Sequence, residues 1–250
     1  MTSSRISLRG GHLHYAATAF KERSLKSLLT RPFHAGARSK VGDIHALKGI
    51  DLDIKGGERV GLLGHNGAGK STLLRTIAGL YPLSAGQLEV NGRIRSLFDL
   101  SLGFEPDASG RENILYRGLL MGMTPRQMRA READIVAFAD LGDFIDYPIK
   151  TYSAGMQVRL AFAISTEIGG EVLLLDEVIG AGDAAFMAKA QRRIAHLVDH
   201  AEIMLLASHD VAALERLCQR GLVLHHGRLA FDGPIHSAIE HYHYLQGRTE

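Results

Sequence analysis

Eight consecutive residues, Gly64-His65-Asn66-Gly67-Ala68-Gly69-Lys70-Ser71, constrain the fold more than any other stretch of the chain. They fit G-x-x-x-x-G-K-[ST], the pattern of a phosphate-binding loop. That pattern alone gives false positives, so its flanks decide. Arg59 to Leu63 reads as a short buried strand, and Ser71 to Ala78 as a helix with an apolar stripe. The motif needs this order of strand, glycine loop and helix. The glycines let successive N–H groups turn toward phosphate oxygens, and the helix N-terminus adds its positive end. The candidate phosphate-binding set is therefore Gly64, His65, Asn66, Gly67, Ala68, Gly69, Lys70, Ser71 and Thr72, with no separate role for the His65 side chain. Lys70 would reach the β- and γ-phosphates of a nucleotide, and the Ser71 hydroxyl would hold Mg²⁺.

Composition bounds the rest. A chain of 250 residues, 46% apolar and 22% charged, fits a soluble globular protein with one sizeable core or two small ones. Its net charge of +2 gives no argument for a nucleic-acid partner. The single cysteine, Cys218, excludes an intrachain disulfide and fits a reducing compartment. Met1 to Ile6 lack the apolar run of a signal peptide. No stretch approaches the roughly 18 apolar residues of a spanning helix, so another chain would have to cross any membrane involved.

Residues 5–15 partly alternate and read as a first strand. Residues 16–44 break the pattern and read as a basic insertion, with Phe20, Leu25, Leu28 and Leu29 on one face of a short helix. Two readings of it stay open: a solvated surface loop, or a contact with a membrane-side partner or acidic headgroups. Ala46 to Ile54 alternate again, and Lys55-Gly56-Gly57-Glu58 is a turn before the glycine loop. Strands are expected at 87–90 and 93–97, and Asn91-Gly92 between them signals a hairpin. From Gly110 to Ile168 the pattern is mostly helical, with Thr124-Pro125 opening one helix and Ser153 capping another. Strands at 171–175, 202–207, 221–224 and 228–231 and helices at 211–218 and 234–245 follow. A helical subdomain, about 105–168, is thus spliced into an α/β core.

Val172-Leu173-Leu174-Leu175-Asp176-Glu177 is an apolar run ending in two carboxylates. Strands buried on both faces read this way, and ligands sit beyond their carboxyl ends. Asp176 would face the Mg²⁺ through water, and Glu177 would align the attacking water and take its proton. Ser153-Ala154-Gly155 starts a helix with a hydroxyl and a small residue, a second anion site. Ser208-His209-Asp210 follows another strand end. The pairs His225-His226 and His241-Tyr242-His243 lack a supporting carboxylate or Cys pattern and read as solvated.

Taken together, these stretches resemble the ATP-binding-cassette (ABC) ATPases over nearly the whole chain. Tyr152-Ser153-Ala154-Gly155-Met156 is similar to their signature sequence, and the glycine loop, signature, apolar Asp-Glu strand and His209 occur in the family's order. The resemblance implies an α/β P-loop NTPase fold, a nucleotide-binding domain with an inserted helical subdomain and an N-terminal antiparallel β region. It implies a homodimer in which Ser153 and Gly155 of one copy complete the ATP site of the other. It gives His209 a contact with the γ-phosphate, and it gives Tyr15 an adenine-stacking role that stays open beside simple packing.

Leu97 to Phe104 leading to Gly110-Arg111-Glu112-Asn113, and Asp176 to Phe186 with Asp183, resemble the subgroup that exports O-antigen, capsule or teichoic acid. This implies an ATP-hydrolysing subunit, using ATP and Mg²⁺, at the cytoplasmic face of a bacterial inner membrane. Its partner would be a separate permease that handles the lipid-linked polysaccharide. The chain departs from the family at Asp99-Leu100, where most cassettes have a Gln, and Asp99 is assigned no role. The chain is expected to be one nucleotide-binding domain over 1–250, without the C-terminal carbohydrate-binding domain of some exporters. Rival expectations are a transporter for a lipid, peptide or small molecule, a soluble ABC ATPase acting on ribosomes or DNA, and a silent ATP-binding module.

Overall fold

The computed structural model describes residues 3–15, 44–98, 103–176 and 184–247. Expectations for residues 16–43, for Asp99, for Glu177 and for Asp183 fall outside the described residues.

Two sheets organise the chain. Strand β1 (Arg5–Tyr15) lies between β2 (Ile44–Lys55) and β4 (Ala85–Asn91) in a three-stranded antiparallel sheet. The alternation expected for β1 is present, with Ile6, Leu8 and Leu13 buried on one face. The second sheet has six strands: β5 (Ile94–Ser96), β6 (Val172–Asp176), β7 (Ile203–Ala207), β3 (Arg59–Leu63), β8 (Arg220–His225) and β9 (Arg228–Pro234), in that spatial order. The first five are parallel, and β9 returns antiparallel beside β8.

The apolar runs of β6 and β7 follow from burial on both faces. Val172, Leu174, Ile203 and Leu205 pack toward the antiparallel sheet and helix α1 (Lys70–Ile77). Leu173, Leu175, Met204 and Leu206 pack into the second cluster, which continues through the remaining helices. Those helices are α2 (Gly110–Leu120), α3 (Pro125–Ala139), α4 (Ala154–Glu167), α5 (Ala184–His200), α6 (Val211–Leu217) and α7 (Ile235–Gln246). No described helix is long and apolar enough to cross a membrane.

One expectation fails, and one helix goes unread in the sequence. Asn91-Gly92 is not a hairpin turn: β4 pairs with β1, whereas β5 pairs with β6 in the other sheet. The turn carries the chain between layers, with Gly92 at φ 116°, where a Cβ would lie 2.7 Å from Ser4 Oγ and 3.3 Å from Val172 Cγ2. Glycine is needed there for the backbone conformation and for the close approach of both sheets. Helix α5 is the second difference, since the sequence reading places no helix over 184–200. Phe186, Ala190, Leu197 and Val198 form its buried stripe, at helical spacing but interrupted by small and charged residues.

Candidate functional site

The loop between β3 and α1 closes around a lysine. Gly64 leaves β3 at φ 151°, and a Cβ there would stand 2.5 Å from Leu224 O on the neighbouring strand. Only glycine fits that passage. At the other end Gly69, at φ 108°, precedes the first residue of α1 and supplies no side-chain cap. The first N–H groups of α1 are therefore left for an anion rather than for the chain's own side chain. Lys70 is buried, 8% exposed, and its Nζ donates to Gly64 O at 2.5 Å and to His65 O at 3.3 Å. These bonds wrap the loop about the ammonium group.

Sheet register brings other candidates to the same edge. Leu62 of β3 pairs with Ala207 of β7, and Ala207 pairs with Asp176 of β6. One row across three parallel strands thus ends in the glycine loop, in Asp176 and in the turn Ser208-His209-Asp210. Asp176 is half-buried and His209 is exposed. The turn is shaped by its own side chains: Ser208 Oγ accepts from Asp210 N at 3.0 Å, and Asp210 Oδ1 accepts from Ala213 N at 3.1 Å, capping α6. Crevices beyond the carboxyl ends of parallel strands are where α/β sheets bind ligands.

Tyr15, at the end of β1, reaches this site from the antiparallel sheet. Its hydroxyl is 3.3 Å from Thr72 Oγ1 on α1. Its ring meets Tyr81 edge-on, centroids 5.7 Å apart, and the Arg75 guanidinium lies 5.9 Å from the Tyr81 ring. Tyr81 is absent from the sequence reading. Nothing local marks it, because only the packing of β1 on α1 makes the pair.

Ser153 and Gly155 do not join this row. Ser153 caps α4 as expected, its Oγ accepting from Met156 N at 3.3 Å, and it is exposed. Arg159 fixes the same helix by donating to Ala139 O at 3.0 Å and to Asp140 O at 2.7 Å, where α3 ends. The α4 N-terminus therefore faces outward on a well-held helix.

A family model described as ABC transporter matches residues 47–180. The O-antigen export system ATP-binding protein RfbE of Yersinia enterocolitica is 44% identical over 192 residues, covering 77% of this chain and 80% of the relative. A protein of the same description, RfbB of Myxococcus xanthus, is 46% identical over 175 residues, covering 70% of this chain. The teichoic acids export ATP-binding protein TagH of Levilactobacillus brevis is 37% identical over 212 residues, covering 85% of this chain. The matches span 40% of the length of the Myxococcus relative and 58% of the Levilactobacillus one. Among solved structures, a dimeric ATP-binding cassette bound to ADP and Pi superposes with a TM-score of 0.66 at 20% identity, covering 92% of this chain and 98% of that one. An ATP-binding subunit of an ABC transporter gives 0.69 at 18% identity, covering 95% and 93%. At such identities the likeness speaks to the fold.

Proposed function

The chain belongs to the ABC transporter family, and on that premise we propose that it is the ATP-hydrolysing subunit of an exporter of a cell-surface polysaccharide. The observation that carries the enzymatic part is the row Leu62–Ala207–Asp176, which gathers the glycine loop, Asp176 and the His209 turn at one sheet edge. The polysaccharide part rests on relatives named for O-antigen and teichoic acid export.

Lys70 exchanges its bonds to Gly64 O and His65 O for phosphate oxygens, and the N–H groups at the start of α1 hold the same phosphates. Ser71 and Asp176 are both oxygen donors, the set a hard divalent cation prefers, so they fit Mg²⁺. Bound there, Mg²⁺ supplies charge neutralisation on the phosphates. Glu177 takes the proton of the attacking water, and His209 contacts the γ-phosphate. Tyr15 offers its ring to the adenine.

Ser153 and Gly155, outward-facing at the start of α4, complete the site of a second copy, so two-fold pairing makes both sites equivalent. A separate permease crosses the membrane and handles the lipid-linked polymer, while this chain sits peripherally at the cytoplasmic face. We read residues 1–250 as one nucleotide-binding domain.

The test is deletion of the gene in its native cell with assay of surface and internal polysaccharide. Polymer is expected to leave the surface and accumulate inside, with rescue by the wild type and not by Lys70→Ala. Unchanged surface polymer, with no redundant exporter, overturns the substrate class.

A further inference from the structure

Three histidines distant in sequence meet beside the glycine loop. His65 is its second residue, His225 ends β8, and His226 with Gly227 forms the turn to β9. One ring nitrogen from each lies within 4.8 Å of the others. The meeting is fixed by backbone: Gly227 N donates to Ala68 O at 2.9 Å, and Lys48 N donates to Gly227 O at 2.8 Å. The β8–β9 turn is thereby docked onto the loop.

The His65 ring is prepared for a ligand. Its Nδ1 lies 2.7 Å from Asn66 O. A carbonyl only accepts, so Nδ1 carries the proton and Nε2 presents a bare lone pair. That Nε2 is buried and has no hydrogen-bond partner. Metal-bound histidines are held in this way, with the far ring N–H donated to a carbonyl and the near nitrogen directed at the ion. The ring planes also cross. His65 and His225 meet at 80° and His65 and His226 at 58°, with centroids 5.4 and 4.7 Å apart. Imidazole lone pairs lie in the ring plane, so crossed rings can aim them at one point.

A second trio, His12, His14 and His45, lacks this preparation. His12 Nδ1 and His45 Nε2 already bond each other at 3.0 Å, and His14 stacks on His45 at 3.8 Å and 19°. Stacked rings direct their lone pairs side by side rather than toward a shared centre.

We propose that His65, His225 and His226 form a binding site for a divalent transition-metal ion of the zinc class. Three neutral imidazoles suit such an ion, with a fourth position for water. Tetrahedral bonds of about 2.0–2.1 Å put ligand nitrogens roughly 3.4 Å apart, so the rings close inward by about an ångström on loading. The ion ties the glycine loop to the β8–β9 turn. It fixes His65, one of the two residues whose carbonyls accept from Lys70, and so slows nucleotide turnover.

The test uses the full chain without nucleotide. Co²⁺ is added and its visible absorption is recorded, then Zn²⁺ affinity is measured by competition with a chromophoric chelator. We expect a tetrahedral cobalt spectrum and tight zinc binding that His226→Asn weakens at least about tenfold. His226 lies at φ 48°, a conformation asparagine tolerates, so the turn is kept. His225→Gln, on regular strand backbone, repeats the test should His226→Asn misfold. His12→Asn is expected to leave the affinity unchanged. With excess Mg²⁺, zinc should slow ATP hydrolysis by the wild type and not by His226→Asn, whose rate without zinc stays normal. Zinc binding equal in wild type and His226→Asn, or lost in His12→Asn instead, overturns the proposal.

Discussion

The parallel sheet and the helical segment between β5 and β6 are held together by different means. In the sheet, β6 and β7 bury every apolar residue on both faces, and order comes from contacts between strands far apart in sequence. In the helical segment, burial of residues such as Ile114, Met128, Ile135 and Phe162 is joined by many polar bonds, several of them local. Ser109 and Glu112 exchange a capping box at the start of α2, and Thr124 and Gln127 do the same at α3. Asn113 is fully buried, accepts from Glu105 N at 2.7 Å, and donates to Glu105 O, Ala108 O and Ser109 O. Arg111 joins Asp146 at 2.6 Å and Glu132 at 3.0 Å across the surface. Arg117 lies 4.8 Å from the Phe104 ring, and burial pulls its guanidinium down to about 10. Apolar burial thus builds the edge that gathers the glycine loop, while polar capping aims an exposed helix end outward. The first arrangement suits groups that must be fixed relative to one another within one chain, and the second suits the exposed group that we propose is offered to a second copy.

Substitutions can break this contrast. Ser153→Arg should have the largest effect: at least about 10³-fold loss of hydrolysis, from a bulky cation at the donated anion site. The lost cap should cost only about 1 kcal/mol. ATP affinity of the monomer, measured by calorimetry, should hold; normal turnover would remove the shared site. Leu205→Ala, in the middle of β7, should cost about 3 kcal/mol of global stability in urea denaturation. A change below 1 kcal/mol would mean that the sheet is not the stabilising core. Asn113→Ala should cost about 2 kcal/mol, because the carbonyls and N–H it serves lose their partner. Its loss should appear in hydrogen exchange of α2 and the 105–109 loop before the parallel strands respond. Uniform loss across the chain would show the two regions unfolding as one.

The smallest effect concerns Glu171, the residue before β6. Arg93 N donates to Glu171 Oε2 at 2.6 Å, and this bond holds the carboxyl below its ordinary value of 4.5. Below that ordinary value the unfolded chain binds the proton before the folded chain does. The stabilisation is therefore present above about pH 4.5 and fades as pH falls through the folded value. Glu171→Gln should flatten the fall in stability as pH drops below about 4.5, and an unchanged slope in acid denaturation would exclude this bond as its source.

Much of the sheet was legible because its signals are contiguous. Leu173-Leu174-Leu175 declares burial on both faces, and Gly64 to Ser71 declares the loop. Ser153 as a cap was legible for the same local reason. Asn91-Gly92 misled, because a turn signal says that the chain reverses and not which sheet receives it. The pairing of Tyr15 with Tyr81 and the meeting of His65 with His225 and His226 could not be read from the sequence. Both depend on which layers stack, and no spacing in the chain encodes that.

The turn at Gly92 has a mechanical consequence. Its neighbours Ser4 and Val172 belong to the starts of different sheets. Ser4 N also donates to Glu202 Oε2 at 3.0 Å, and Arg220 spans the gap by donating to Asp53 O and Glu58 Oε1, both at 2.9 Å. These struts lie at the amino ends of the parallel strands, opposite the glycine loop. The two sheets are therefore bonded to each other at their base, on the side away from the glycine loop. With Tyr15 bonded to Thr72 at the far end of β1, the antiparallel layer is tied to its neighbour at both ends, so separating the layers would require breaking hydrogen bonds at each.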